Sequence, residues 1–178
     1  RAIAGLWHTG SGVIHHPPVE DFFFLPQQPY LQSGTLRSQL IYPSAHSDLS
    51  DEQLLAILEQ VHLPHLAKRV GGLSAVHDWE KLLSVGEQQR LAFARVLVHA
   101  PAIVILDEAT SALDSGNEAS LYARLRAGGT TLISIAHRPA VLRHHTHVLH
   151  LTGDGAWELH DAGSFHFDAP ATPLRRVS

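Results

Sequence analysis

Two adjacent acids, Asp107 and Glu108, come directly after the apolar run Ile103–Leu106. A short β-branched run predicts a buried strand, and ligands of open α/β sheets bind where the strands end. Two carboxylates at that edge can divide the chemistry, because one can orient Mg²⁺ and its waters while the other polarises a nucleophilic water. Taken alone, the pattern is explained equally well by a strand that runs into an acidic loop.

The segment 83–90 is a second chemical feature, and it reads LSVGEQQR. Ser84 can cap a new helix while Glu87 reaches back to it, which is the capping-box pattern. The unpaired backbone N–H groups and the dipole of such a helix favour a phosphate at its N-terminus. A capped helix without a ligand is the commoner explanation, but the position of this segment one helix before Asp107 favours phosphate binding.

These residues need a scaffold, and strands that alternate with helices predict an α/β fold with a largely parallel sheet. The predicted strands begin at 13–14 and cover 22–25, 103–106, 131–136 and a hairpin of 148–151 with 157–160. The predicted helices start at 50 and 84 and cover 117–127, with the last turns of another at 1–6. Residues 26–50 are predicted to be mostly loop and short turns. The stretch 43–99 shows helices without a clear strand, so it is interpreted as a helical insertion into the sheet domain.

Length and composition narrow the class of protein. The 178 residues suit one domain, or a core with a small appended subdomain, and 44% hydrophobic with 17% charged residues is typical of a globular chain. The net charge of −4 gives no support for a nucleic-acid surface, so no nucleic-acid partner is expected. The absence of cysteine excludes disulfides, thiolate zinc sites and a cysteine nucleophile. The sequence also has no methionine, no signal-peptide pattern and no apolar run of the ~18 residues that a membrane span needs.

Five segments in this order resemble the motifs of ATP-binding cassette (ABC) ATPases, and the resemblance covers about residues 1 to 160. Phe24–Gln27 resembles the strand that leads to the Q-loop glutamine, Leu83–Arg90 the signature, Ile103–Glu108 the Walker B strand, Ser111–Asp114 the D-loop and His137 the switch histidine. Segments 29–31 and 34–37, together with Trp79, further resemble exporter-type half-transporters, most of all bacterial relatives of subfamily D with a fused ATP-binding protein and permease. Val85 replaces the second glycine of the signature, although relatives in this group often have an apolar residue there.

The resemblance implies the fold of a P-loop NTPase, in which a RecA-like, mostly parallel sheet core carries an inserted helical subdomain. The core would comprise residues 1–42 and 100–160, and the helical subdomain 43–99 would contain the signature. Residues 161–178 would form a loose C-terminal tail. The implied cofactors are ATP and Mg²⁺.

On the signature side, the resemblance implies contacts with a nucleotide that a second cassette holds in a head-to-tail dimer. The residues that would contact its γ-phosphate are Ser84, Val85, Gly86 and Glu87. Asp114 would cross the dimer interface and belong to the nucleotide site.

On the catalytic side, the resemblance implies that Asp107 holds Mg²⁺ and that Gln27 helps to bind and sense it. Glu108 would be the general base for the attacking water, and His137 would contact the γ-phosphate and link it to Glu108. Physical chemistry agrees with this assignment, since phosphoryl transfer depends on positioning and charge neutralisation more than on covalent chemistry.

One motif of the family is missing from the sequence. A phosphate-binding loop reads G-x-x-x-x-G-K-[S/T], yet neither Lys68 nor Lys81 follows a glycine. We therefore expect the sequence to begin just after Walker A, and the 178 residues alone to hydrolyse no ATP. The parent protein is expected to be an ATPase that drives transport, with a transmembrane permease domain fused upstream, at the cytoplasmic face of the inner or plasma membrane.

Two alternatives remain open. One is a non-catalytic cassette that donates only its signature to a partner. The other is a soluble, non-transport ABC ATPase, although the spacing of 57 positions between Gln27 and Ser84 (84 − 27) disfavours the coiled-coil types and no basic linker indicates a ribosomal type. The histidine runs 15–16 and 144–147 could suggest metal binding, but this interpretation is disfavoured because no carboxylate or cysteine spacing accompanies them.

Overall fold

The computed structural model describes residues 3, 5, 7, 9–152 and 155–166. The predicted helical turns at 1–6 and most of the predicted tail lie outside the described residues. The chain divides into two compact units, Arg1–Ile135 and Ala136–Ser178. The predicted division at residues 42/43 and 99/100 stays a prediction.

The first unit contains five strands and six helices within the described residues. In chain order they are β1 (Phe22–Leu25), β2 (Gly34–Thr35), α1 (Leu36–Ile41), α2 (Asp51–Gln60), α3 (Leu66–Val70), β3 (Val76–His77), α4 (Trp79–Leu82), α5 (Val85–His99), β4 (Ile103–Asp107), α6 (Ser115–Ala127) and β5 (Thr131–Ile135). A single 3-10 turn, Val19–Asp21, precedes β1.

The main sheet has the order β1-β4-β5, and both pairs of neighbours are parallel. Its central strand is an apolar run whose residues Val104, Ile105 and Leu106 are buried. A strand covered on both faces reads as a continuous hydrophobic run, which explains why the sequence revealed it. The predicted α/β fold with a parallel sheet is confirmed.

The longest helix, α5, organises the packing of the first unit. It contacts α1, α2 and β1, and the side chains of Leu91, Phe93 and Ala94 are almost completely buried. Helix α5 ends at Ala100, which adopts left-handed backbone angles (φ 43°) and donates its N–H to the carbonyl of Val96. This helix therefore carries the signature segment on a well-anchored support.

Two predictions about local structure were wrong, and one was incomplete. Residues 43–99 are not free of strands, because Val76–His77 pairs with Gly34–Thr35 in a small antiparallel sheet. Two-residue strands have no periodicity to read, and this pair depends on a distant contact in which the indole N–H of Trp79 donates to the Gly34 carbonyl at 2.8 Å.

Residues 26–50 are mostly loop and turns, as predicted, but they also contain helix α1 and strand β2. Thr35 caps α1 by accepting from the Ser38 N–H at 3.1 Å, so a short helix fits between Gly34 and Pro43. The second wrong prediction concerns 13–14, where no strand forms and the side chains of Val13 and Ile14 are 79% and 51% exposed.

The second unit begins with a 3-10 turn, Pro139–His144, and continues with β6 (His147–Leu151) and β7 (Trp157–Asp161). These two strands pair antiparallel, which confirms the predicted hairpin. Among the described residues, none of the helices has the length and apolar character required to traverse a bilayer.

Candidate functional site

The side chains of Gln27 and Glu108 meet at the carboxyl edge of the main sheet. Strands β1 and β4 are parallel neighbours with Leu25 opposite Leu106, so the residues that follow them emerge side by side. The Gln27 amide Nε2 donates a hydrogen bond to Glu108 Oε2 at 2.9 Å. The structure thus brings together two predicted site residues that are 81 positions apart.

Glu108 is held in an unusual backbone conformation. Its φ is 49°, in the left-handed region that glycine favours, and its N–H donates to the carbonyl of Ile135 at 3.0 Å. The Glu108 carbonyl in turn accepts from the Ser111 N–H at 3.1 Å. Such a backbone costs energy in a non-glycine residue and is found disproportionately at functional sites, where the surrounding structure maintains it.

Asp107 is the last residue of β4 and pairs in register with Ile135 of β5. Its side chain is exposed at the same edge of the sheet as the Gln27 side chain. A carboxylate and an amide oxygen are hard ligands of the type that Mg²⁺ prefers. The residues at this edge therefore fit a magnesium ion.

The N-terminus of α5 has the predicted capping box. The Ser84 hydroxyl accepts from the Glu87 N–H at 3.4 Å, while Glu87 Oε2 accepts from the Ser84 N–H at 2.9 Å and from the Ser84 hydroxyl at 3.0 Å. These bonds satisfy two backbone donors of the first turn and fix where the helix begins.

The remaining oxygen of the Glu87 carboxylate forms an ion pair with Arg69 of α3, with Nη1 and Oε1 2.7 Å apart. Burial opposes ionisation of Glu87, but hydrogen bonds from Arg69 and Ser84 outweigh it and lower the pKa of the carboxyl below its ordinary value of 4.5. The cap consequently fixes the signature segment locally, and the ion pair with Arg69 connects it to α3.

The glycine of the signature allows a close approach between α5 and the loop after β4. A Cβ at Gly86 would lie 3.3 Å from the Ala112 carbonyl oxygen and 3.5 Å from Arg90 Nη1. The neighbouring side chain of Val85 is 60% exposed, so position 85 faces solvent in this structure. A side chain at position 86 would displace the backbone of the loop at Ala112, so glycine is required for this close contact.

Gln89 connects three of the motifs, and sequence reasoning assigned it no role. Its buried side chain donates from Nε2 to the Gln27 carbonyl at 3.3 Å and to the Ser111 hydroxyl at 3.2 Å. Its Oε1 accepts from the Ala112 N–H at 3.0 Å. The signal that could have revealed it is an uncharged polar residue on the apolar face of α5, because a buried amide must be hydrogen-bonded.

Arg95, one further turn and a half along α5, is a second residue that sequence reasoning missed. It is buried, and it donates from Nε to the Gln39 carbonyl and from Nη1 to the Tyr30 carbonyl, both at 2.7 Å. Its guanidinium lies 4.9 Å from the centre of the Tyr42 ring. Burial lowers the pKa of Arg95 to about 10, so it stays charged at neutral pH while it anchors the segment after β1 to α5.

Asp114 caps helix α6 in this structure. Its Oδ1 accepts from the N–H groups of Gly116 and Asn117, both at 3.0 Å, and its Oδ2 accepts from the Asn117 side-chain amide. These hydrogen bonds, that of the Asn117 N–H above all, lower the pKa of Asp114 below its ordinary range. The carboxylate is exposed, and its predicted role at a dimer interface stays a prediction.

His137 belongs to the second unit, two positions beyond the end of β5 in the sequence. Its side chain is exposed. The predicted link between His137 and Glu108 stays a prediction.

Known proteins share this arrangement of segments. The family model described as ABC transporter matches residues 5–111. The chain is 53% identical over 159 residues to an ABC transporter ATP-binding protein of Synechocystis, covering 89% of this chain and 24% of that protein. It is 39% identical over 173 residues to ATP-binding cassette sub-family D member 1 of Drosophila melanogaster, covering 92% and 24%. It is 40% identical over 163 residues to human ATP-binding cassette sub-family D member 3, covering 89% and 25%.

Among solved structures, a bacterial Atm1-family ABC exporter with ATP bound superposes with a TM-score of 0.64 and 30% identity. That match covers 74% of this chain and 23% of the exporter. The chain spans about a quarter of the length of the curated relatives it matches. Because the family model covers more than half of the chain and contains the Gln27, Ser84 and Glu108 segments, this chain belongs to the ABC transporter family and has its P-loop NTPase fold.

Proposed function

We propose that this chain is the signature-bearing part of an ATP-hydrolysing cassette in an exporter-type ABC transporter. The observation that carries the proposal is the hydrogen bond from Gln27 to Glu108, beside Asp107 at the carboxyl edge of the parallel sheet. It places a carboxylate, its orienting amide and a second acid where ligands of such sheets bind.

Glu108 is the general base of the proposed reaction. Its carboxylate takes the proton of a water that attacks the γ-phosphate of ATP. The bond between the γ-phosphorus and the β–γ bridging oxygen breaks, so that ADP leaves and inorganic phosphate is formed. The Gln27 amide orients the carboxylate. The left-handed backbone of Glu108 is maintained by the Ile135 and Ser111 hydrogen bonds, so the base is positioned before the substrate arrives.

Asp107 and the amide oxygen of Gln27 would hold Mg²⁺, since both are oxygen ligands at this edge. When bound, the ion neutralises negative charge on the transferred phosphoryl group. Gln27 could thus serve two groups, because its nitrogen donates to Glu108 and its amide oxygen would be available to hold the cation.

The N-terminus of α5 is the proposed contact for the γ-phosphate of a nucleotide held by a second cassette in a head-to-tail dimer. The residues proposed to form this contact are Ser84, Val85, Gly86 and Glu87. Backbone N–H groups and the helix dipole favour an anion there. Asp114 is proposed to cross the same interface, and His137 to contact the γ-phosphate in the cassette of Glu108.

The wider partners follow from the relatives. The matched proteins are named as members of ABC sub-family D and as an Atm1-family exporter. We infer that the cassette works with a transmembrane permease domain, on the cytoplasmic face of the inner or plasma membrane. ATP hydrolysis would then drive translocation of a substrate across that membrane.

The proposal is tested with a cassette to which the missing phosphate-binding loop has been added. Residues 1–178 are joined behind a segment that supplies a G-x-x-x-x-G-K-[S/T] loop from a related cassette, and phosphate release from Mg-ATP is measured. We expect turnover that Glu108→Gln reduces by at least about 100-fold, as for loss of a general base. The 178 residues alone are expected to show no turnover.

The matched control is Glu59→Gln, the same carboxylate-to-amide change at an exposed position of α2. It should leave turnover within about twofold of the parent, since it lies outside the proposed machinery. Full turnover in the Glu108→Gln variant would exclude Glu108 as the base. Nucleotide-dependent dimerisation without any turnover would instead support the non-catalytic cassette.

A further inference from the structure

The hairpin of the second unit presents two histidines and a glutamate on one face. Side chains alternate between the faces of a strand, so Glu158 and His160 of β7 point to the same side. His150 of β6 lies directly opposite Glu158 in the antiparallel register. The face therefore places all three side chains next to each other, through backbone pairing alone.

The potential ligand atoms of these three residues are close together. One side-chain nitrogen or oxygen from each of His150, Glu158 and His160 lies within 4.8 Å of the other two. Nε2 of His160 is 3.1 Å from Glu158 Oε2, and Nδ1 of His150 is 4.0 Å from the same oxygen. Both imidazoles thus turn a nitrogen toward one carboxylate.

Phe165, four residues beyond the end of β7, packs against both histidines of this cluster. Its ring centroid lies 5.6 Å from that of His150 and 5.1 Å from that of His160. Contact with this ring limits the orientations of both imidazoles, while the three side chains of the cluster stay accessible to an ion from solvent. Ring packing by itself does not require that both nitrogens point to the same carboxylate oxygen.

We propose that His150, Glu158 and His160 bind a divalent transition-metal ion of the zinc type. Two imidazole nitrogens and one carboxylate oxygen are an established ligand set for such ions, with a remaining position for water. Zinc bonds of about 2.0–2.2 Å place neighbouring ligand atoms roughly 3.3 Å apart in a tetrahedron. The observed spread of up to 4.8 Å closes to that value through small side-chain rotations on a half-exposed face.

This site differs in chemistry from the proposed nucleotide site. Imidazole nitrogen is a borderline ligand that favours zinc, nickel and copper, whereas Mg²⁺ takes oxygen ligands. The three residues all belong to the second unit, so their geometry depends only on the β6–β7 hairpin. Unlike the histidine runs 15–16 and 144–147, this cluster includes a carboxylate, because Glu158 lies opposite His150 in the hairpin.

The proposal is tested by calorimetric titration of the complete 178-residue chain with Zn²⁺, in the presence of excess Mg²⁺. We expect one site whose affinity falls by at least about tenfold in each of His150→Gln, Glu158→Gln and His160→Gln, because even loss of an outer-shell partner costs that much. His147→Gln is the matched control, since His147 lies on the opposite face of β6. It should change the affinity by less than about twofold.

A second measurement needs no substitution. Zn²⁺ added to the wild-type chain should shift the side-chain nitrogen resonances of His150 and His160 in NMR spectra while leaving those of His147 in place. The proposal is overturned if the three variants bind Zn²⁺ as tightly as the wild type, if His147→Gln weakens binding as much as they do, or if the shifts occur at other histidines instead.

Discussion

The Gln27 side chain and the Glu108 carboxylate are joined by a 2.9 Å hydrogen bond across the ends of two neighbouring parallel strands. Gln27 is itself restrained, because its carbonyl accepts from the buried side chain of Gln89. The general base proposed for ATP hydrolysis is therefore oriented by two successive hydrogen bonds, from Gln89 of α5 to Gln27 and from Gln27 to Glu108.

The left-handed backbone at Glu108 predicts a difference between two substitutions that both remove the carboxylate. The free energy of unfolding should be about 1 kcal/mol higher for Glu108→Gly than for Glu108→Ala, because only glycine adopts this φ without strain. Urea unfolding followed by circular dichroism measures the difference. Equal midpoints for the two variants would mean that the turn relaxes when the carboxylate is lost.

Gln89→Leu should destabilise the first unit by about 2 kcal/mol, since it leaves the Ala112 N–H and the Gln27 carbonyl without their buried partner. In the completed cassette it should also lower turnover, because Gln27 loses its restraint. The exposed Gln28→Leu has the same change in chemistry and should unfold like the wild type. If both variants unfold alike, the Gln89 hydrogen bonds contribute nothing net.

Glu87 predicts a specific loss of stability in acid. Because its folded pKa is lowered, its contribution is complete above the ordinary pKa of 4.5 and disappears as the pH falls through the folded value. The wild type should therefore lose about 0.5–1 kcal/mol more than Glu87→Gln between neutral pH and about pH 3. Glu87→Gln retains a capping box but not the charge that pairs with Arg69.

That comparison is made by urea unfolding at a series of pH values. Glu20→Gln, an exposed change of the same kind, should follow the wild-type pH profile. A Glu87→Gln profile parallel to the wild type would show that the Arg69 pair does not stabilise the fold.

Arg95→Lys should cost about 2 kcal/mol although the charge is retained, because a lysine cannot reach the Gln39 and Tyr30 carbonyls together. Arg124→Lys on the exposed face of α6 is the matched control and should change the unfolding free energy by less than about 0.5 kcal/mol. Thermal unfolding distinguishes the two. A midpoint for Arg95→Lys equal to that of the control would contradict the bridging role.

The parts of the fold that could be predicted are those encoded by local patterns. The β1 and β4 strands are continuous apolar runs, and helices α2 and α5 begin at the serines that the capping boxes indicated. Gln27 and Glu108 were assigned to one site only through the family resemblance. The shared carboxyl edge of two parallel strands is the physical reason that the two side chains meet at 2.9 Å.

The parts that could not be predicted depend on tertiary contacts. The β2–β3 pair forms because Trp79 reaches back 45 positions to the Gly34 carbonyl, and no local pattern encodes that distance. Gln89 and Arg95 were missed for a related reason. A polar side chain on an apolar helix face indicates that it has hydrogen-bond partners in the folded protein. The sequence does not identify those partners, because they lie 62 and 65 positions away in the chain.

The bonds of Gln89 have a mechanical consequence for the proposed cassette. Gln89 lies one turn beyond the start of α5, where the phosphate contact is proposed, and it hydrogen-bonds both the segment after β1 and the loop after β4. Any tilt or slide of α5 relative to the sheet must break these bonds or drag Gln27 and the 111–112 backbone with it. In the proposed cassette, a shift of the helix start on contact with one nucleotide would therefore be transmitted through Gln89 to the residues that orient Glu108 toward the other nucleotide.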